Sequence, residues 1–309
     1  MLICRTRTIY KICILTGIII TLFLPRLKAQ DFIYLDVNND FLNYKGQGTD
    51  KYYTAGITLG GLIRIKETHS NFLTISISEK IFTASNIVFN PEEIHPTDYP
   101  YAGLMYISMG YQTVSLKNKF YTKGEFSWGT TGSSSGAKII QRELHKIIGD
   151  REPNGWSTQL ELGNFIQVQF EHTRSIIKSS WMKINWAGII QIGSIFNTLS
   201  LATELKIDRS NDPFIGQTSK LIQPSGKPHL SLWARPKIAY ILSNRLLQTN
   251  QNQFGLHQRT INKVVYHSSI GVSLQVNKVS ISLIQHYNTP EFKTATKHAF
   301  GEIAIQLNI

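Results

Sequence analysis

The sequence predicts an all-β chain: a transmembrane antiparallel β-barrel of about 12 strands, with one short helix on its extracellular side. Three observations predict it. The N-terminus carries the three parts of an export signal. No later segment is apolar for long enough to cross a bilayer as a helix. From residue 30 onward, apolar residues recur with a period of two.

The signal opens with Arg5, Arg7 and Lys11. The stretch 12–24 follows, diluted only by Thr16, Gly17 and Thr21, and Leu27-Lys28-Ala29 offers a small residue for cleavage. Its apolar run falls short of the roughly 20 residues a membrane helix needs, which favours cleavage over anchoring. Residues 1–29 are therefore expected to be a signal peptide, and 30–309 a single outer-membrane barrel domain. Both cysteines, Cys4 and Cys13, lie in the signal. A catalytic cysteine, a zinc–thiolate site and a disulfide are thereby excluded from the exported chain. The net charge is +12, and Arg5, Arg7, Lys11, Arg26 and Lys28 take five of those charges with the signal. For an exported protein the nearer polyanion is the phosphorylated lipid of the outer leaflet, so no nucleic-acid partner is expected.

Alternation justifies the strands. Leu73, Ile75 and Ile77 alternate with Thr74, Ser76 and Ser78; Ile166, Val168 and Phe170 with Gln167, Gln169 and Glu171. Residues 279–285 follow the pattern slightly out of step, and 302–309 follow it cleanly to the last residue. The polar faces are mostly small or uncharged, as a crowded lumen requires. Tyr52, Tyr53, Tyr99, Tyr101, Trp181, Trp186 and Tyr287 stand near strand ends, where interfacial girdles form. The strands are expected at 31–38, 51–65, 70–83, 101–115, 119–130, 158–173, 180–193, 198–208, 227–243, 260–275, 278–288 and 297–309. An even count places both termini in the periplasm. Turns near Glu67, Lys117 and Asn277 are then periplasmic, and 39–50, 84–100 and 131–157 extracellular. Residues 209–226 fit poorly, because they make a long loop on the side where short turns are the rule.

One helix signal stands out. Ile139, Ile140, Leu144, Ile147 and Ile148 line one face of three turns after the Ser133-Ser134-Ser135-Gly136 hinge, and Gly149 is placed to stop it. Gln141 and His145, four apart, share a face. A histidine beside an apolar helix face is most often a packing residue. A second region bears on it: Asn38-Asn39-Asp40 closes the first strand, and Asp50 with Tyr53-Thr54-Ala55-Gly56 opens the next. Asn and Asp at strand ends commonly serve turns, and they are also oxygen ligands of the kind calcium takes. The remaining histidines have no ligand spacing, and His172 and His286 are expected to face the lumen.

In order along the chain stand Asn39-Asp40, Asp50-x-x-Tyr53-Thr54-x-Gly56, Asp98-x-Pro100-Tyr101-Ala102-Gly103, Gln141-x-x-x-His145 with Gly149, and Gly155-Trp156-x-x-Gln159. This series resembles the outer-membrane lipid A 3-O-deacylase family over residues 31 to about 207. The resemblance implies a barrel that removes the 3′-linked acyloxyacyl chain of lipid A, with its site between the barrel wall and the helix. It implies His145 as general base, Asn39 and Asp40 as metal-binding or orienting residues, and Thr54 as a supporting polar group. Gln141 and Tyr53 are placed as substrate-binding residues, and Ca2+ as the cofactor, with Asp150 and Glu152 completing its ligands. The partners expected are lipopolysaccharide of the outer leaflet and the membrane itself, with the chain a monomer. Arg151 stands where family members can carry a glutamate, and 84–97 holds no lysine where some members have one.

The chemistry is coherent on the residues alone. Histidine supplies a base near neutral pH, and water attack needs no serine nucleophile. No G-x-S-x-G elbow is present. Two other readings stand beside this one. A barrel without catalysis, a channel or lipid-binding protein, would share the same strands. A phospholipase-type esterase would use one of Ser133 to Ser135 as nucleophile.

Overall fold

The computed structural model describes residues 31–44, 51–65, 70–221, 225–250 and 258–309. The expected signal peptide, Asp50, the turn at Glu67, His69 and His257 lie outside them. Twelve strands close into an antiparallel barrel. They are β1 Phe32–Asn39, β2 Tyr52–Arg64, β3 Asn71–Thr83, β4 Ala102–Ser115, β5 Phe120–Thr131, β6 Asn164–Lys178, β7 Met182–Gly193, β8 Phe196–Ile207, β9 Ser225–Asn244, β10 Val264–Asn277, β11 Val279–Asn288 and β12 His298–Asn308. β1 pairs with β12, so closure leaves no open sheet edge. No helix is long and apolar enough to cross a membrane among the described residues.

The predicted phase holds in the wall. Leu73, Met109, Phe126, Ile166, Leu201 and Leu283 point outward and are exposed, whereas Thr74, Ser108, Ser127 and Ser282 are buried inside. An apolar exterior around a polar interior is the inverse of a soluble domain and matches a barrel in lipid. The lumen holds more than small residues. Arg235 bridges Glu171 at 2.5 Å and Glu204 at 3.2 Å across its interior. His286 faces inward on Glu302 at 3.0 Å, but His172 faces outward, against Trp186. It falls in phase with Ile166 and Phe170.

Two further expectations need correction. β6 begins at Asn164, six residues later than the alternation suggests, because Gly163 at φ 72° breaks the extended run. The residues before it fold as a short 3-10 turn, Gly155–Thr158. Of the tyrosines read as girdle, Tyr52 and Tyr99 pack with Phe82 and Phe292 at the mouth of the lumen, Tyr53 packs inward on Phe82 and Phe300, and Tyr101 is buried on the outside of the wall against Trp156. Trp181 and Trp186 are the exposed pair of that set.

Residues 209–221 explain the long loop. They fold back into the turn end of the lumen as a plug, with a one-turn helix at Gly216–Ser219. Phe214 packs against Phe32, Phe72 and Tyr121, and Ile215 against Trp233 and Ile284. Gln112, Asn185 and Gln306 donate to the plug carbonyls of Ser219, Pro213 and Gly216. Ile284 turns inward to meet Ile215, which is why the alternation of β11 falls out of step.

Candidate active site

At the loop rim, four outward positions stand in register across the wall: Asn39 on β1, Ala55 on β2, Ile81 on β3 and Gly103 on β4. Helix α1, Ala137–Ile148, lies against the outside of this row. A Cβ on Gly103 would overlap the Ala137 methyl and the Ser135 hydroxyl, so glycine sets how closely the helix approaches. Ala55, Ile81, Tyr101, Ala137 and Trp156 form the packed seam between helix and wall. Gly136 (φ 82°) turns the chain into α1, and Gly149 (φ 72°) ends it, as the sequence predicts.

The helix turns its polar side, not its apolar one, to the wall. Ala137, Gln141 and His145 are buried, whereas Ile139 and Ile147 are exposed, Ile147 at 81%. A helix on the lipid-facing side of a barrel has an apolar solvent outside it, so its polar side turns inward. Gln141 accepts a hydrogen bond from the Trp156 indole at 2.7 Å. That bond ties the segment after α1 back onto the helix.

His145 is 4% exposed. Its Nδ1 lies 2.6 Å from the carbonyl oxygen of Arg151. A carbonyl only accepts, so Nδ1 carries the hydrogen and the neutral ring holds its basic lone pair on Nε2. Arg151 thus supports the histidine through its backbone rather than its side chain. Asp150 stands nearby, with Oδ2 3.9 Å from Nδ1.

The other expected residues divide. Thr54 is the extra residue of a bulge in β2, buried, with its hydroxyl 2.6 Å from that of Thr83. Asn39 caps the 3-10 turn Asp40–Leu42, accepting from the Phe41 amide at 2.7 Å. Asp40 is buried and accepts from the Lys51 amide. Tyr53 is not on this face. It points into the barrel, donates to Asn38 at 3.1 Å and packs on Phe82 and Phe300. The bulge at Thr54 puts its flanking residues Tyr53 and Ala55 on opposite sides of the wall.

The four residues expected to hold calcium do not fit one ion as a set. Glu152 pairs with Arg142, and Asp150 is turned toward His145. Among the described residues no three His, Cys, Asp or Glu side chains converge as a metal site. No step is therefore derived through calcium.

Three contributors escape a motif reading. Trp156 lies in a motif but shows no role until its indole meets Gln141. The Arg151 carbonyl is backbone and leaves no sequence signal. Glu79 sits on the outward face of β3, one row below Ile81, between Ile57 and Met105. It is 2% exposed, and neither carboxylate oxygen has a hydrogen-bond partner among the described residues. Its signal was visible: a charge in phase with Leu73, Ile75, Ile77 and Ile81.

The serine alternative meets a geometric obstacle. Ser133 and Ser134 are exposed, and Ser135 donates to the Gly132 carbonyl at the start of α1. At 1.5 Å rise per residue, His145 lies about 12 Å further along the helix than Ala137.

The sequence profile of the family described as outer membrane protein LpxR matches residues 15–309. No curated protein matches the chain. Among solved structures, LpxR from Salmonella typhimurium superposes with a TM-score of 0.78 at 19% identity, covering 90% of this chain and 100% of that one. The β domain of the Bordetella autotransporter BrkA superposes with a TM-score of 0.50 at 7% identity, covering 91% and 99%. At these identities the likeness is one of fold.

Proposed function

The chain belongs to the outer membrane protein LpxR family and has its place in the bacterial outer membrane, and on that premise we propose that it hydrolyses the 3′-acyloxyacyl ester of lipid A. The observation that supports this most is His145: a buried histidine, oriented by a backbone carbonyl, on a helix whose outer face is apolar. In this reading Nε2 takes a proton from water as the water attacks the ester carbonyl, and the protonated ring then returns it to the leaving alkoxide. Burial of Nδ1 against Arg151 fixes the tautomer through both transfers. Thr54, Thr83 and Asn39 supply polar groups on the wall facing the lipid. Any calcium would have to be held by Asn39 and Asp40 with backbone carbonyls, where it would supply charge to the developing oxyanion. A single chain closes its own barrel, which supports a monomer.

The plug and the bridged charges of the lumen argue against the reading as a channel. The test is mass spectrometry of lipid A from a Gram-negative host expressing the wild type or His145→Ala at matched outer-membrane levels. Loss of a 3′-linked acyloxyacyl group with wild type alone supports the proposal. Unchanged lipid A from both, with detergent-solubilised enzyme also inactive, refutes it. A chelator arm of the solubilised assay tests the calcium set.

A further inference from the structure

Beyond Asp40, the outer wall carries a second feature. The segment 40–44 runs outward over β12 and toward β11. Gly301 makes room for it, because a Cβ there would overlap Leu42, and the Tyr44 amide donates to Gln285 on β11. Beside this segment lies a groove of about 620 Å³, lined among others by Asp40, Lys51, Tyr266, Tyr287 and Lys297. That volume falls in the range of small-molecule sites. Its floor is on the lipid-facing side at the loop rim: Ser268 pairs with Tyr287, and Tyr287 with Ala299.

The charge in the groove is one-sided. Lys51 Nζ donates to Thr296 Oγ1 at 3.2 Å, and Lys297 is exposed. Among the described residues, neither lysine has a carboxylate within ion-pair distance. The one acid in the lining, Asp40, is 2% exposed and accepts from the Lys51 backbone. Tyr266, 57% exposed, adds an amphipathic wall at the level where lipid headgroups begin. Two unpaired ammonium groups above an aromatic and hydroxyl-bearing floor suit a phosphorylated sugar. They are charges for a phosphate, beside a face for the ring.

We propose that this groove binds a phosphate-bearing glucosamine of the lipid whose ester is cleaved beneath α1, with Lys51 and Lys297 as the phosphate contacts. The inference rests on the deacylase reading for its substrate. Asp40 is the physical link, since it directly follows Asn39, which ends β1 in register with the helix-covered row, and it also lines the groove. The headgroup would thereby be held to one side while an acyl chain reaches the helix patch.

The experiment compares wild type with the double variant Lys51→Gln/Lys297→Gln, purified in detergent and shown folded by heat-modifiable migration. The substrates are lipid A carrying both phosphates and the same lipid A with both phosphates removed. The proposal expects the double variant to raise KM about tenfold on the phosphorylated lipid. On the dephosphorylated lipid, variant and wild type should converge. Equal KM values on the phosphorylated lipid, or an equal loss on both lipids, would overturn it. Binding is measured separately by retention of inactive His145→Ala protein on immobilised diphosphoryl lipid A, with and without the lysine substitutions. Retention lost with the lysines supports the groove even where wild type cleaves nothing, so failure of the deacylase reading is distinguishable. Phosphatidylglycerol micelles displacing the protein as well as lipid A does would overturn the assignment to the sugar phosphate.

Discussion

The Nδ1 of His145 and the carbonyl oxygen of Arg151 lie 2.6 Å apart, six residues from each other in the chain. The contact needs the αL turn at Gly149, which folds the chain back under the last turn of α1. A side-chain carboxylate at position 151 is therefore unnecessary for orienting the ring. Arg151→Ala should keep lipid A deacylation within about threefold of wild type, since the carbonyl remains. His145→Asn can still donate to that carbonyl but has no base, and should lower the rate by about 10²–10⁴-fold. Both are read as initial rates on lipid A micelles with barrels checked for folding. A large loss in Arg151→Ala would show that the guanidinium, and not the backbone, serves the histidine.

Gly103 should matter for a different reason. Its missing Cβ is the space into which Ala137 and Ser135 fit, so Gly103→Val displaces the helix from the wall. The barrel itself has no reason to fail, because β-branched residues suit strands and this position faces outward. The expected result is a barrel that migrates as folded, with deacylation reduced at least tenfold. Protease cleavage within 137–148 should increase in parallel. Normal activity in Gly103→Val would mean that helix contact with the wall is dispensable.

The barrel was legible because a strand with one face in lipid and one in the lumen obeys a strict period. Leu73, Ile75 and Ile77 could be assigned outward from their neighbours alone. The tyrosines were not legible, because Tyr99 and Tyr101 differ from Trp181 only in what the loops fold over them. The orientation of α1 was not legible for a related reason. Periodicity shows that Ile139 and Ile147 share a face, but which solvent that face meets depends on the helix lying outside the barrel. His145 and Gln141 stood out by spacing, whereas the opposite directions of Tyr53 and Ala55 hinge on a bulge that no residue type announces. The plug was hidden altogether, since a loop turning into a lumen looks like any other loop.

Glu79 offers a test of stability against function. A carboxylate 2% exposed, with no hydrogen bond to either oxygen among the described residues, is a cost to the fold. Leaving such a group unsatisfied costs on the order of 1–3 kcal/mol. Glu79→Met fills similar volume with apolar atoms in a row that already holds Ile57 and Met105. The variant should withstand heating to a higher temperature before the folded band is lost on gels. A lower transition temperature would show that the carboxylate is satisfied by lipid or by a bound group. A higher one accompanied by loss of deacylation would place Glu79 among the residues that exchange stability for activity.

The plug makes the last prediction, and its sign follows from Asp208. Burial pushes this carboxyl up, but the charge of Lys206 and hydrogen bonds from Lys183, His229 and Ser231 outweigh burial and hold it well below the usual range. Lys206 approaches to 3.1 Å, His229 to 2.9 Å and Ser231 to 2.7 Å, and Lys183 is in direct contact. Lys206 also donates to the plug carbonyls of Asp212 and Phe214, so the same cluster that holds Asp208 holds the plug. A carboxyl with a lowered folded value stabilises the native state above its unfolded value of about 3.9, and that contribution is lost as pH falls toward the folded one. Wild type should therefore keep its plug closed through neutral and mildly acidic conditions and lose stability only below about pH 4. Asp208→Asn removes the counter-charge from two buried lysines, which costs about 3–5 kcal/mol in comparable settings. In that variant trypsin should cut after Arg209 or Lys220 at neutral pH, where the wild type resists, and the urea midpoint should fall and lose its acid dependence. A variant as resistant as wild type would show that Phe214 and Ile215 anchor the plug without help from the charged cluster.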